Sequence, residues 1–391
     1  LVAYRKAKAD CYFENTFPTA INFAEYEQDL LANLQKLLTI LQGENNFSDA
    51  HKLLGECRFL PKKLSINKKK NDVEDSHVHF SNPNRAIDKL IKNHDVIPEF
   101  RIVGDFPVDT HIVSALWINM IGHKFDAKLD ESCYGARLKR ITSENLLDGK
   151  EEKIFHISSI GSFVPYFQPY QKWRNDGLNS IRDELEKDHK VLAVSLDLKS
   201  YYHLIDPKSI SSRALCKTMN INLTNEEQDF TDALAFFLNA WSEKASDFGS
   251  LATKGDSKIN GGLVIGLTCS RIISNALLYE WDKLILEKIS PVHYGRYVDD
   301  MFIVIRDPGT ISNSTDLMKF FQERLGKDVF YQTNKGAQIW SIQQGKSIQG
   351  KSKIQLQSNK QKLFILQGQA GFDLLDSIEK GDHPRFCVTA I

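Results

Sequence analysis

The sequence predicts an α+β protein built around a small antiparallel sheet. Three observations carry that expectation. Apolar runs of strand length end in carboxylates, at Val191–Asp197 and around Asp299 and Asp300. The stretches flanking that acid pair, His293–Arg296 and Met301–Ile305, read as the two arms of a β-hairpin with both aspartates at its turn. Segments with helical periodicity, among them Phe23–Leu41, Asn225–Trp241 and Ser314–Leu325, lie around these strands.

In chain order, Phe23–Leu41 reads as one amphipathic helix, with Tyr26, Leu30, Leu34, Leu37, Leu38 and Leu41 on or near one face. Residues 62–80 are polar and charged and read as a loop. Ile181–Lys187 ends a helix that feeds the buried strand Val191–Asp197. Leu198–His203 is a tight turn rich in aromatics. Asn225–Trp241 is a helix with an apolar stretch at Ala233–Leu238. Gly261, Gly262 and Gly266 form a glycine-rich loop running into a helical segment, Leu267–Leu278. Glycines ahead of a helix allow a backbone to come close to a ligand, although a plain loop and helix start is the competing reading. After the hairpin come the helix Ser314–Leu325, an insertion over Gly336–Lys353, and two strands, Ile354–Gln357 and Leu363–Leu366, that look paired. There are no internal repeats.

The paired carboxylates carry the chemistry. Two like charges side by side are costly unless a cation sits between them. A strand-end Asp197 together with Asp299 and Asp300 supplies three carboxylates, the set that two-metal phosphoryl transfer uses to hold ions about 4 Å apart. One ion lowers the pKa of an attacking hydroxyl and the other neutralises charge on a triphosphate. A solvated Asp-Asp turn is the plain alternative.

Composition fits an intracellular enzyme of two or three domains with a sizeable core across 391 residues. The six cysteines include no Cys-x-x-Cys pair, which favours free thiols in a reducing, cytoplasmic setting. No apolar run approaches the roughly 20 residues of a membrane span. The chain opens on Leu1 rather than Met, which leaves room upstream for a native start and a targeting segment. Net charge is zero, yet basic runs stand at Pro61–Lys63, Lys68–Lys70, Arg137–Arg140 and across Gly345–Lys362. Such runs are either solvated loops or phosphate-binding grooves.

The order of these motifs resembles that of reverse transcriptases. Asp197 with Tyr202 looks like motif A, Gly262–Asn275 like motif B, and Tyr297-Val298-Asp299-Asp300 is the Tyr-x-Asp-Asp box of motif C. Phe100–Val103 and Ser132–Leu138 look like the first fingers motifs. Tyr170–Arg174, Phe23–Glu27 and Leu31–Leu34 are similar to bacterial defence reverse transcriptases of the abortive-infection or unknown-group type. The resemblance spans roughly residues 1–366, with the catalytic motifs far more specific than the flanks. It departs at Val264 and Ile265, where many reverse transcriptases carry Pro-Gln. Ile265 suits the defence subgroup and Val264 does not. No zinc-finger or endonuclease motif appears, which argues against a complete mobile intron protein.

The resemblance implies a right-hand polymerase fold. It implies a helical N-terminal extension over 1–95, fingers over 96–190, and an antiparallel-sheet palm over 191–366 with fingers–palm helices at 207–260. The start of a thumb or C-terminal region occupies 367–391, too short for a helical thumb, so that domain is expected to be absent or cut off.

It also implies an RNA-directed or untemplated DNA polymerase of antiviral defence. Its cofactor would be Mg²⁺ or Mn²⁺, held by Asp197, Asp299, Asp300 and the Leu198 carbonyl. Its partners would be dNTPs, an RNA template or noncoding RNA, the DNA product, and a second copy or second defence protein, with no membrane. The primer would be a nucleic-acid or protein hydroxyl. Gly262, Ile265 and Gly266 would meet the template base and nucleotide. Tyr202 would be a steric gate against ribose, with core packing as its alternative. Arg174, or its rival Arg137, would grip the triphosphate. Lys362, with Lys360 as competitor, would assist the leaving pyrophosphate. Asp206 reads as a helix cap before Pro207 rather than a ligand. The other expectations are an RNA-synthesising palm polymerase, which Tyr202 opposes, and a non-catalytic RNA-binding scaffold, which the intact triad opposes.

Overall fold

A computed structural model of the chain describes residues 1–12, 20–43, 50–67, 81–144, 151–248, 262–332, 339–343, 352–357 and 361–380. Its strands are β1 (Glu56–Asn67), β2 (Asp95–Asp105), β3 (Arg140–Glu144), β4 (Glu151–Phe155), β5 (Val191–Asp197), β6 (His293–Tyr297), β7 (Asp300–Arg306), β8 (Phe330–Gln332), β9 (Ile339–Ile342), β10 (Ile354–Gln357) and β11 (Lys362–Leu366). Every pairing between two of these strands is antiparallel, and helices cover the main sheet, so the fold is α+β as the sequence predicts.

The main sheet has the order β11-β5-β7-β6. Alternate side chains of a strand point to opposite faces. Leu192, Val194 and Leu196 of β5 join the large core, together with Met301, Ile303 and Ile305 of β7. Val191, Ala193, Phe302 and Val304 face a second cluster. That cluster is built from Trp173, Leu178, Ile181 and Leu185 of helix Phe167–Glu186, and Leu375 and Ile378 of helix Gly368–Lys380. A sheet covered on both faces explains why Val191–Leu196 is apolar without alternation.

Local signals set the helices well. Helix Asn225–Ser246 starts at a capping box in which the Thr224 side chain and Glu227 satisfy each other's backbone N–H groups. It extends past the predicted Trp241. Helix Ser314–Leu325 has the predicted bounds, with Asn313 capping Thr315 and Asp316.

Several expectations are corrected. Phe23–Leu41 is two helices, Ala20–Gln28 and Leu30–Leu41, broken at Asp29 with φ −128°. The break lets Phe23 and Leu37 both reach the core, while Leu38 is exposed. Residues 62–67 belong to β1, and 68–80 lie outside the described residues. Paired along its length with β2, this polar segment forms a two-stranded ribbon, in which backbone pairing overrides a loop-like composition.

That pairing also crosses the expected boundary at 95/96, so 1–95 is neither wholly helical nor separate from the residues after it. Ile354–Gln357 and Leu363–Leu366 do not pair with each other. β11 adds to the edge of the main sheet beside β5, whereas β10 pairs with β9. The expected insertion contains β9, whose buried Trp340 and Ile342 make it the middle of the three-stranded sheet β10-β9-β8.

Among the described residues, no helix is long and apolar enough to cross a membrane. None of the five described cysteines is in a disulfide, and Cys387 lies outside the described residues.

Candidate active site

The carboxylates meet at one end of the main sheet. Asp197, the last residue of β5, stands directly opposite Asp300, the first of β7. Directly opposed antiparallel residues hold their Cβ atoms about 4.5–5.5 Å apart. Tyr297 is paired with the other side of Asp300, so Val298 and Asp299 form a two-residue turn between β6 and β7. The Leu198 amide donates to the Asp299 carbonyl at 3.3 Å, tying the end of β5 to that turn. The sequence alone suggests both aspartates at the turn, whereas Asp299 occupies it and Asp300 opens the strand.

The electrostatics follow from this crowding. Burial, then the Asp197 charge, push the Asp299 carboxyl up to about 6. Burial, then Asp299 and Asp197, push Asp300 up to about 8. Carboxylate oxygens suit Mg²⁺, and a cation would relieve this repulsion. Donor type and charge therefore fit a divalent ion. The side chains are neighbours without being closed around a site: among the described residues, no group of three or more His, Cys, Asp or Glu converges to hold a metal ion.

Arg296, which the sequence motifs do not single out, braces the turn. Its guanidinium is fully buried and paired with Asp282 at 2.6 Å. It also donates to the Val298 carbonyl at 2.8 Å and to Asn275 Oδ1 at 2.9 Å. An arginine inside the apolar arm of a hairpin is the signal that could have found it, because a buried charge must be paired.

The turn after Asp197 passes through Ser200, at φ +47°, into the short helix Tyr201–Leu204. The Tyr202 hydroxyl lies 3.1 Å from Ser274 Oγ on helix Thr268–Leu277. Asp299 lies close enough to act on its ionisation.

The motif B glycines come close to protein backbone. A Cβ on Gly262 would lie 2.8 Å from the His203 Cα, and the Leu263 amide donates to the Tyr202 carbonyl at 2.6 Å. Gly266, at φ +127°, would put a Cβ 2.7 Å from the Gly104 carbonyl oxygen. The Gly104 amide donates to the Ile265 carbonyl at 2.7 Å. The close approach at Gly262 and Gly266 is thus to protein backbone, welding this loop to the β5 turn and to β2. Within 262–270, Ile265 is the residue left partly exposed.

The two arginines expected to grip the triphosphate both have protein partners. Arg174 donates to the Ile378 carbonyl of helix Gly368–Lys380 at 3.1 Å. Arg137 spends its guanidinium on Asp126 and on the carbonyls of Asp126, Leu129, Asp130 and Cys133. Packing directs each fork onto nearby protein acceptors.

Arg101 of β2 is close enough for its charge to act on Asp299, as is Arg296. Arg101 and Lys62, on opposite strands of the ribbon, also act on half-buried His203, which desolvation first and then these cations push down to about 4. Lys362 opens β11 opposite Ser195, two residues before Asp197, on the face shared by Asp197 and Asp300. Lys360 lies outside the described residues. Asp206 caps the 3₁₀ turn Pro207–Ser211 by accepting from Lys208 N at 2.9 Å, as expected.

Comparison with protein-family models finds none that matches, and a search of curated proteins finds none either. The resemblance to reverse transcriptases therefore rests on the motifs themselves.

Proposed function

We propose that the chain is a reverse-transcriptase-like DNA polymerase of bacterial antiviral defence, adding dNTPs to a nucleic-acid or protein hydroxyl. One observation carries the reading. Asp197 and Asp300 are register partners with Asp299 at the adjoining turn, and their mutual repulsion invites a cation. Asp197, Asp299 and Asp300 would hold Mg²⁺ or Mn²⁺. When bound, such ions make a hydroxyl more acidic and offset phosphate charge.

The remaining roles belong to side chains. Arg101 of the ribbon would supply positive charge at the carboxylates, suited to a triphosphate. Tyr202 stands between the Asp197 strand end and Ser274, where its ring would crowd a ribose 2′-hydroxyl. Lys362 opens the edge strand opposite Ser195, two residues before Asp197, and would steady the departing pyrophosphate. Whether synthesis copies an RNA, with a partner noncoding RNA as template, is part of the proposal's test, as is assembly with a second copy or a second defence protein.

The scaffold reading draws on a different observation, the carboxylates that do not close into a metal-binding group. One experiment separates the readings. The purified full chain is incubated with each labelled dNTP and rNTP and Mg²⁺ or Mn²⁺, with and without copurifying RNA, and the product is sequenced. DNA product from wild type and none from Asp299→Asn supports the proposal. RNA product favours an RNA-synthesising polymerase, and no product with retained RNA binding favours the scaffold.

A further inference from the structure

Among the described non-glycine residues with positive φ, Val298 alone is β-branched, at +58°. A β-branched residue in the left-handed region is a true outlier, and it persists only where its surroundings over-determine it. Both sides of Val298 are held by one network. On one side Gly135 gives it room: a Cβ there would lie 2.8 Å from the Val298 nitrogen. On the other side Arg296 Nη1 donates to the Val298 carbonyl at 2.8 Å.

The guanidinium is itself immobilised. Nε and Nη2 donate to the two Asp282 oxygens at 2.7 and 2.6 Å, and Nη1 also donates to Asn275 Oδ1 at 2.9 Å. Asn275 closes the loop by donating to the Gly135 carbonyl at 2.9 Å. The Tyr294 hydroxyl donates to Asp282 at 2.5 Å. The Arg296 backbone is fixed as well, donating to the Ser132 carbonyl at 2.7 Å and accepting from the Tyr134 amide at 2.8 Å.

We infer that Arg296 is a positioning residue: by pinning the Val298 carbonyl it holds the turn left-handed and so aims the next residue, Asp299, toward Asp197. A core ion pair alone does not account for this arrangement. Buried pairs rarely out-stabilise apolar residues of similar size, and a point-charge ammonium could keep the charge without the fork. The fork geometry reaches Asp282, Asn275 and Val298 at once, and the Val298 bond lands on the strained residue. The inference rests on the polymerase reading only for its activity readout.

The test uses the full chain with Arg296→Lys and Arg296→Lys/Val298→Gly. Lysine keeps the charge and loses the fork. Expected for Arg296→Lys is a kcat lower by about a hundredfold, the size of effect that a misplaced catalytic group produces. KM for dNTP should stay within about twofold. Mn²⁺ binding, read from the free-ion EPR signal, should weaken, and amide exchange at residues 298–300 should quicken. Glycine adopts positive φ without strain, so the double variant should regain about tenfold in kcat and slow that exchange again.

Wild-type exchange and Mn²⁺ binding in Arg296→Lys would overturn the inference, as would a loss that Val298→Gly leaves untouched. If Arg296→Lys does not fold, the uncharged pair Arg296→Met/Asp282→Leu, with and without Val298→Gly, puts the same question to the exchange data. If wild type adds no nucleotide, the polymerase reading falls, and exchange and Mn²⁺ binding still decide the role of Arg296.

Discussion

Arg296 and Asp282 form an ion pair at 2.6 Å in which the guanidinium has no contact with solvent. Each partner would be stranded without the other. Asp282→Ala should therefore destabilise the protein by about 3–5 kcal/mol, the cost of an uncompensated buried charge. Urea denaturation measures this. A loss below about 1 kcal/mol, the range of an exposed pair, would show that the pair is hydrated in solution.

Asp299→Asn keeps the shape of the turn residue and removes one charge. If Asp299 helps hold the cation, several kcal/mol of transition-state stabilisation is lost, or about a thousandfold in the rate of nucleotide addition. Single-turnover incorporation near the wild-type rate would remove Asp299 from the catalytic set.

The same carboxylates should make stability depend on pH. Their folded-state values of about 6 and about 8 lie above the ordinary carboxylate value of about 3.9. The folded chain therefore binds more protons than the unfolded chain between those values. This contribution is fully present below about pH 4 and is lost as pH rises through about 6 and about 8. Without divalent cations, Asp300→Asn should raise Tm relative to wild type at pH 8 and change it little at pH 4. Mg²⁺ should raise the wild-type Tm more at pH 8 than at pH 6, because protons compete with it. A Tm difference between the two proteins that ignores pH would contradict the coupling.

Tyr202→Ala should open space beside the sugar and loosen the Ser274 contact. Discrimination of dNTP from rNTP should then fall by tenfold or more, about 1.4 kcal/mol of lost steric exclusion. Competition assays with paired nucleotides measure the ratio, and an unchanged ratio would return Tyr202 to a packing role.

The cations should separate by place. Arg101→Ala should raise KM for dNTP, and Lys362→Ala should lower kcat with less effect on KM. Arg174→Ala and Arg137→Ala should lower Tm with little effect on KM, because their partners are carbonyls and Asp126. A triphosphate effect at Arg174 without one at Arg101 would reverse the assignment.

The features that the sequence determined by itself are local. Val191–Asp197 and the hairpin around Asp299 are legible because strand runs, turn position and carboxylate placement are properties of neighbouring residues. The same holds for the start of helix Asn225–Ser246 and for Ser314–Leu325, which are written in periodicity and caps. Tertiary structure decided what each strand pairs with and what each long side chain reaches. Ile354–Gln357 and Leu363–Leu366 look alike in sequence, yet they join different sheets, because the partner that takes their backbone hydrogen bonds is set by the whole fold. Arg137, Arg174, Arg101 and Arg296 all carry the same charged fork. Packing alone distinguishes a loop clamp, a helix tie, a cation at the carboxylates and the brace of a strained turn, because a guanidinium's role depends on which acceptors the fold brings within hydrogen-bonding distance.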